Sequence, residues 1–399
     1  MIVVPPPSPG IPRGSSDPRA LLLRGPRLAD GQVAYVLIEG GTIVSVGREP
    51  TGHPPSAEIL DLRGYLLLPS LVEPHAHLGS AAYSGLPSAG IAARARASAA
   101  RHLARGTTAI LVHVDVGEEA GLRSVQALLD VRADLAGIMD IQIVAVTPTP
   151  VTGLAGVGSR ERLRRALAAG ADLAGAAPVP GDETGRAVEV LAVVAADAGA
   201  GLDLHIDETA APGILPRLIA VAEAGFGRPI AASHVVSLGP TKRESRPAAR
   251  SLAEAGIGVV ALPRPGIVPC GGSLGIDTPC GLTAVRDLVE AGVPVAAGGD
   301  SPHGLGHTDP LETASLLLTV TQLTPIEAFT AITSAGGRSC GFPMSRSPAA
   351  HRPTWSQSER KTLEARWRAG RRTGSSCAAA GSWRAPRWQP NSPCWSSAS

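Results

Sequence analysis

The chain has 399 residues, 44% of them apolar, with 36 basic against 34 acidic side chains and a formal charge of +2. That length and apolar content suffice for one large core, and the balanced charge, with no basic stripe before residue 340, excludes a surface built to follow phosphates. The five cysteines, Cys270, Cys280, Cys340, Cys377 and Cys394, contain no C-x-x-C pair, which argues against a disulfide framework or a structural zinc knuckle and fits a reducing, cytoplasmic setting.

Residues 1–19 are dominated by Pro, Gly and Ser and read as a disordered leader, without the basic and apolar regions of a secretory signal. Residues 20–69 carry short β-type runs broken by Gly, at 33–39, 41–46 and 65–68, which predict a small β domain. From 70 to 343 the texture changes to a short apolar run followed by an Ala- and Leu-rich helical stretch, a unit that recurs about every 30 residues. Eight such runs end near His77, Val116, Val146, Ala177, His205, His234, Leu262 and Gly299. Helical periodicity fills the stretches between them, for example at 92–103, 121–135, 160–169, 186–198 and 282–291. Eight units of this kind predict an α/β fold, a (β/α)8 TIM-type barrel with a small β-sheet satellite domain at its amino terminus. Further on, Thr324-Pro325-Ile326-Glu327 is a capping box with Pro at the first helical position, which marks a helix start. No apolar run reaches the roughly 18 residues of a membrane span, so no membrane partner is expected.

Chemistry concentrates at the ends of the barrel runs. Pro74-His75-Ala76-His77 closes the first, and strand alternation puts both imidazoles on one face, where they can share a metal ion. Asp203-Leu204-His205-Ile206-Asp207-Glu208 closes the fifth run, Ser233-His234 the sixth and Gly298-Gly299-Asp300 the eighth. Barrel enzymes place their reacting groups at these C-terminal strand ends, and four of the ten histidines stand there. Three neutral imidazoles and one carboxylate suit one divalent ion, with an open position for a water whose pKa falls towards roughly 7. Glu208, three residues past His205, is near enough to reach a bound substrate without being a ligand, which suits a general acid and base.

Five stretches occur in an order that resembles the cytosine deaminase branch of the amidohydrolase superfamily, over residues 20 to 343. They are Glu73-Pro74-His75-Ala76-His77-Leu78, His113-Val114-Asp115-Val116, Asp140-Ile141-Gln142-Ile143-Val144-Ala145, His205-Ile206-Asp207-Glu208 and Ala232-Ser233-His234. The resemblance implies a metal-dependent hydrolase of C–N bonds that deaminates a small cyclic amidine or amide, cytosine-like, by attack of a metal-activated hydroxide. It implies that His75, His77, His205 and Asp300 bind one divalent ion, Zn or Fe, with Asp300 also catalytic. By the same resemblance Glu208 shuttles protons to the ring and His234 orients the hydroxide. The only lysines are Lys242 and Lys361, and the fourth run, 171–178, has none to carboxylate and bridge two metals, so a single ion is expected. The family's pyrimidine-holding glutamine is absent from Val146-Thr147-Pro148-Thr149-Pro150, Ser301 follows Asp300 where a second acid is common, and Gly79 stands where an aspartate is expected. The loop Pro263-Arg264-Pro265-Gly266 also lacks the family's usual Asn and Gln. The expected partner is therefore a small heterocyclic substrate other than cytosine itself, together with water, and Asp115, Ser301 and His303 are the candidate substrate contacts. Association into a homo-oligomer is left open.

From 344 to 399 the composition breaks. This basic tail, which reads as frameshifted or as a disordered interaction arm, holds all five tryptophans and ten Arg or Lys against two acids, a surplus of eight, so the preceding residues carry a net −6. Read in a neighbouring frame with GC-rich codons, the eight residues from His351 to Ser358 give Ala-Pro-Ala-Asp-Leu-Val-Ala-Val, which resembles the segment that returns to the small sheet in amidohydrolases. Two further readings follow: a catalytically impaired product of a frameshifted gene, or a nucleic-acid or scaffold protein acting through the tail. Charge over the rest of the chain gives nucleic acid no purchase.

Overall fold

In a computed structural model of the chain, the structure describes residues 20–49, 52–78, 86–178, 184–207, 213–239, 242–267, 282–300, 309–333, 336–337 and 383–384. These fall into two compact units, one formed by 20–68 with 383–384 and the other by 69–337.

The first unit is a six-stranded sheet. Its strands are β1 (Leu21–Arg27), β2 (Val33–Glu39), β3 (Thr42–Gly47), β4 (Glu58–Asp61), β5 (Tyr65–Leu66) and the short strand Trp383–Arg384. β2 and β3 form a hairpin closed by Gly40 and Gly41, both at positive φ (56° and 77°), as a two-residue turn of this hand requires. The run 21–27 was not expected from sequence because Gly25-Pro26 breaks its pattern. The strand passes through that break with a register shift between Arg24 and Arg27, and Gly25 there takes φ 75°. Ala20, Leu22 and Leu37 pack on one face of this sheet and Leu23, Val36 and Leu62 on the other. β3 stands at the end of the strand order with Val44 and Val46 exposed. Trp383–Arg384, within the basic tail, pairs antiparallel with β5.

In the second unit, eight parallel strands run in sequential order and form a nearly closed barrel. They are β6 (Leu71–Ala76), β7 (Thr107–Asp115), β8 (Asp140–Thr147), β9 (Leu173–Ala176), β10 (Gly201–Ile206), β11 (Ile230–His234), β12 (Gly258–Ala261) and β13 (Val295–Ala297). Each ends within two residues of the expected position, so the architecture is the (β/α)8 barrel with its satellite sheet. Between strands lie α1 (Ser88–Ala104), α2 (Glu119–Asp134), α3 (Val157–Ala169), α4 (Thr184–Asp197), α5 (Leu215–Glu223), α6 (Lys242–Glu254), α7 (Pro263–Ile267) and α8 (Val285–Glu290). After β13 come α9 (Pro310–Val320) and α10 (Pro325–Ala331), the latter with the expected capping box complete. α1 starts four residues before the expected 92, because Ser88, Ala89 and Gly90 carry no apolar periodicity to announce the first turn. α8 is shorter than 282–291, since Thr283 donates its hydroxyl to the His234 carbonyl and is held at the end of β11 instead of winding into helix. Val72, Leu111, Val144, Leu173, Val260, Leu262 and Ala296 form the apolar barrel floor. Among the described residues no helix is long and apolar enough to cross a membrane.

Candidate metal centre

Alternation along β10 gives Asp203 and His205 one inward face, while on β6 a register shift against β7 between Glu73 and Ala76 interrupts the alternation, and the His75 and His77 rings lie beside that of His205. His75 and His205 are buried, while the His77 side chain is 28% exposed at the barrel mouth. Nε2 of His75 lies 3.1 Å from Nε2 of His205. Oδ1 of Asp300 lies 3.4 Å from Nε2 of His77 and 3.8 Å from Nε2 of His75. One ring nitrogen from each of His75, His77 and His205 falls within 4.8 Å of the others, so the three can hold a metal ion.

The donor chemistry fits such an ion. Burial, reinforced by the neighbouring imidazoles of His113, His77 and His234, holds His75 and His205 well below the ordinary histidine range, so both rings keep free lone pairs at neutral pH. Burial pushes the Asp300 carboxyl up, but the hydrogen bond to His77 and the surrounding imidazoles outweigh it and keep the group below the usual carboxylate range. Nε2 atoms about 3.3 Å apart are what two imidazoles sharing a tetrahedral ion at ~2.0–2.1 Å present, close to the observed 3.1 Å. Three imidazole nitrogens and one carboxylate oxygen match Zn(II) or Fe(II) better than a hard cation that prefers oxygen ligands.

Backbone strain gathers at the same end of the barrel. Asp207, His234, Val235 and Asp300 have φ of 47°, 70°, 50° and 44°, and all follow or end β10, β11 or β13. Non-glycine residues rarely adopt this region, least of all a β-branched valine, and they persist there only where surrounding contacts enforce it. Those contacts are visible. Val235 N–H donates to the Ile206 carbonyl at 2.8 Å and Val236 N–H to the Asp207 carbonyl at 3.1 Å. The Asp207 carboxylate accepts Ser237 Oγ–H at 2.6 Å and Ile214 N–H at 3.4 Å, and burial raises its pKa. The result sets the half-buried His234 ring 5.4 Å from that of His205 and 5.7 Å from that of His75, centroid to centroid.

The fold thus brings together His75, His77, His205, His234 and Asp300. Asp115 is exposed, and its Oδ1 closes a turn after β7 by accepting Gly117 N–H at 2.7 Å. Glu208, Ser301 and His303 lie outside the described residues.

Four buried polar residues given no role from sequence surround the cluster. Glu73 Oε1 accepts N–H bonds from His75 and Gly299, both at 3.1 Å, and burial pushes its carboxyl up to about 8. The His113 ring stacks on His75 with centroids 3.9 Å apart. Its Nε2 lies 3.5 Å from Asp203 Oδ1, which also accepts Ser233 Oγ–H at 3.0 Å. The strand period could have found Asp203, two residues before His205, but not Glu73, which precedes a register shift in β6.

Solved structures of known enzymes share this architecture. The chain is similar to N-isopropylammelide isopropylaminohydrolase from Burkholderia multivorans ATCC 17616, at 31% identity and TM-score 0.69 over 82% of this chain and 88% of that one. It is similar to 5-methylcytosine deaminase from Klebsiella pneumoniae, liganded with 5-fluorocytosine, at 25% identity and TM-score 0.70 over 81% and 87%. Guanine deaminase from C. acetobutylicum, at 13% identity and TM-score 0.59 over 82% and 86%, shares the fold. No family model matches the sequence, and no curated protein matches it.

Proposed function

The chain belongs to the amidohydrolase superfamily, in its cytosine deaminase-like branch, and from that premise we propose that it hydrolyses an exocyclic C–N bond of a small nitrogen heterocycle. The observation that carries this reading is the convergence of His75, His77, His205 and Asp300 at the C-terminal end of the barrel. The names of the two most similar enzymes above support the substrate class, since one acts on N-isopropylammelide and the other on 5-methylcytosine. An amino- or alkylamino-substituted triazine or pyrimidine satisfies both.

His75, His77, His205 and Asp300 would hold one divalent ion, Zn or Fe, which when bound supplies a Lewis acid that lowers the pKa of water. The residues do the rest. His234 orients the water from beside His205, and the Asp300 carboxylate, kept ionised by its imidazole neighbours, accepts its proton. The water oxygen bonds to the ring carbon that bears the amine, and the exocyclic C–N bond breaks as the leaving nitrogen takes up the proton that Asp300 accepted. The second proton of the water, now on the new hydroxyl, makes good the one that Glu208 spends. Glu208 delivers a proton to the ring, a role that rests on its place three residues beyond His205 and on the family pattern.

The test supplies the purified full chain with Zn or Fe and follows isopropylamine from N-isopropylammelide and ammonia from 5-methylcytosine and related amino heterocycles. Turnover of at least one of them, reduced by about 10²-fold or more in Asp300→Ala, is expected. Metal-loaded chain that releases no amine from any member of the panel contradicts the proposal.

A further inference from the structure

The barrel's hydrogen-bonded order begins at β6 and ends at β13, so its first and last strands meet at a seam. Both sides of that seam supply groups to the metal centre, His75 and His77 from one and Asp300 from the other. Glu73 spans it. Its Oε1 accepts the N–H of His75 at 3.1 Å and the N–H of Gly299 at 3.1 Å, with Oε2 also 3.2 Å from Gly299 N. These donors are the backbone of one proposed ligand and of the residue preceding another. Two residues after β13 ends, the Gly299 N–H is thus satisfied by a side chain from the opposite edge of the sheet. The opening that admits the carboxyl is made by Gly298, where an added Cβ would lie 2.8 Å from Glu73 Oε1, 3.0 Å from Leu262 Cδ2 and 3.1 Å from His75 Cβ.

We infer that Glu73 is a positioning residue: one buried carboxyl oxygen, accepting two backbone N–H bonds across the seam, fixes the separation between His75 and Asp300. The inference rests on the proposed metal centre, but its physical content, an acceptor oxygen that joins β6 to the loop after β13, is independent of the ion. It requires an oxygen at Oε1 and not a charge. Glutamine keeps that oxygen and leucine removes it, leaving both N–H groups without their acceptor in a buried site.

The experiment compares the full-length wild type, Glu73→Gln and Glu73→Leu by two readouts. Zn affinity is measured by competition with a chromophoric chelator, and hydrogen–deuterium exchange is followed in the metal-free protein over the segment that contains Gly299. Glu73→Gln is expected to bind Zn within about threefold of wild type, while Glu73→Leu weakens it by about 10–100-fold, as loss of a ligand-orienting partner does. Exchange at Gly299 quickens in the leucine variant alone. Should Glu73→Leu fail to fold, Gly298→Ala displaces the carboxyl while keeping it in the chain, and the same weakening and faster exchange are expected. A folded Glu73→Leu chain with wild-type Zn affinity and wild-type protection at Gly299 overturns the inference, as does a glutamine variant as impaired as the leucine one. A wild type that takes up no Zn defeats the metal reading instead, and the exchange comparison still decides whether Glu73 ties the seam.

Discussion

Asp203 and His113 lie inside the barrel, out of reach of water, and their environment sets what substitutions there cost. Asp203 Oδ1 accepts the Ser233 hydroxyl at 3.0 Å, while Oδ2 finds no hydrogen-bond partner among the described residues. Ser233→Ala removes a donor from a buried carboxyl that is already short of one, so unfolding in urea should show a loss of about 1–3 kcal/mol. A loss below about 0.5 kcal/mol would mean that Asp203 is satisfied by other means. The histidines were legible because H-x-H at a strand end, and lone histidines at two later strand ends, need no knowledge of packing. Glu73, His113 and Asp203 were less so. Asp203 sits one pleat deeper than His205, His113 stands on a strand that carries no proposed ligand, and Glu73 precedes a register shift in β6, so none of the three stands where a strand-end pattern points. The partner that gives Glu73 its role, Gly299, lies 226 residues away in sequence and becomes its neighbour only when the barrel brings its first and last strands together.

At the scale of elements, α1 buries a histidine for which the proposed chemistry has no use. His102 is 1% exposed, neither of its ring nitrogens has a hydrogen-bond partner among the described residues, and burial with the nearby Arg101 lowers its pKa to about 4. The ring is therefore neutral in the folded chain, whereas in the unfolded chain it takes up a proton below the ordinary 6.5. The unfolded state then binds more protons between those values, and stability falls as pH drops through that window. His102→Leu should flatten this part of the profile, by about 3 kcal/mol between pH 7 and pH 4 relative to wild type. Parallel profiles for the two proteins would show that His102 is already compensated. The cap of α10 is a second local test. Thr324→Ala deletes the side chain that accepts Glu327 N–H and should cost about 1 kcal/mol in denaturant unfolding. The elements themselves were the most legible part of the sequence, since the repeat of an apolar run and a helical stretch survives in the Ala-rich strands. β1 was hidden because a bulge at Gly25-Pro26 looks in one dimension like a break. β4, with the pattern Glu58-Ile59-Leu60-Asp61, was too short to show alternation.

For the molecule as a whole, the proposed ion joins side chains from the first and fifth strands to one just past the eighth, groups that are far apart in the unfolded chain. Binding to the folded state alone stabilises it by about 2.7 kcal/mol when free ion stands at a hundred times Kd. The thermal midpoint of the wild type should therefore rise as Zn is added, while that of His205→Ala should not; equal rises would place the binding elsewhere. The proposed ion is also the point at which the account meets its most direct test. Protein produced in Zn- or Fe-supplemented growth is purified, its fold is checked by circular dichroism, and metal per chain is determined by elemental analysis beside His75→Ala and Asp300→Ala. The account predicts about one ion per wild-type chain and a clear loss in both variants; a folded wild-type chain that carries no metal, or variants that retain it in full, would contradict it.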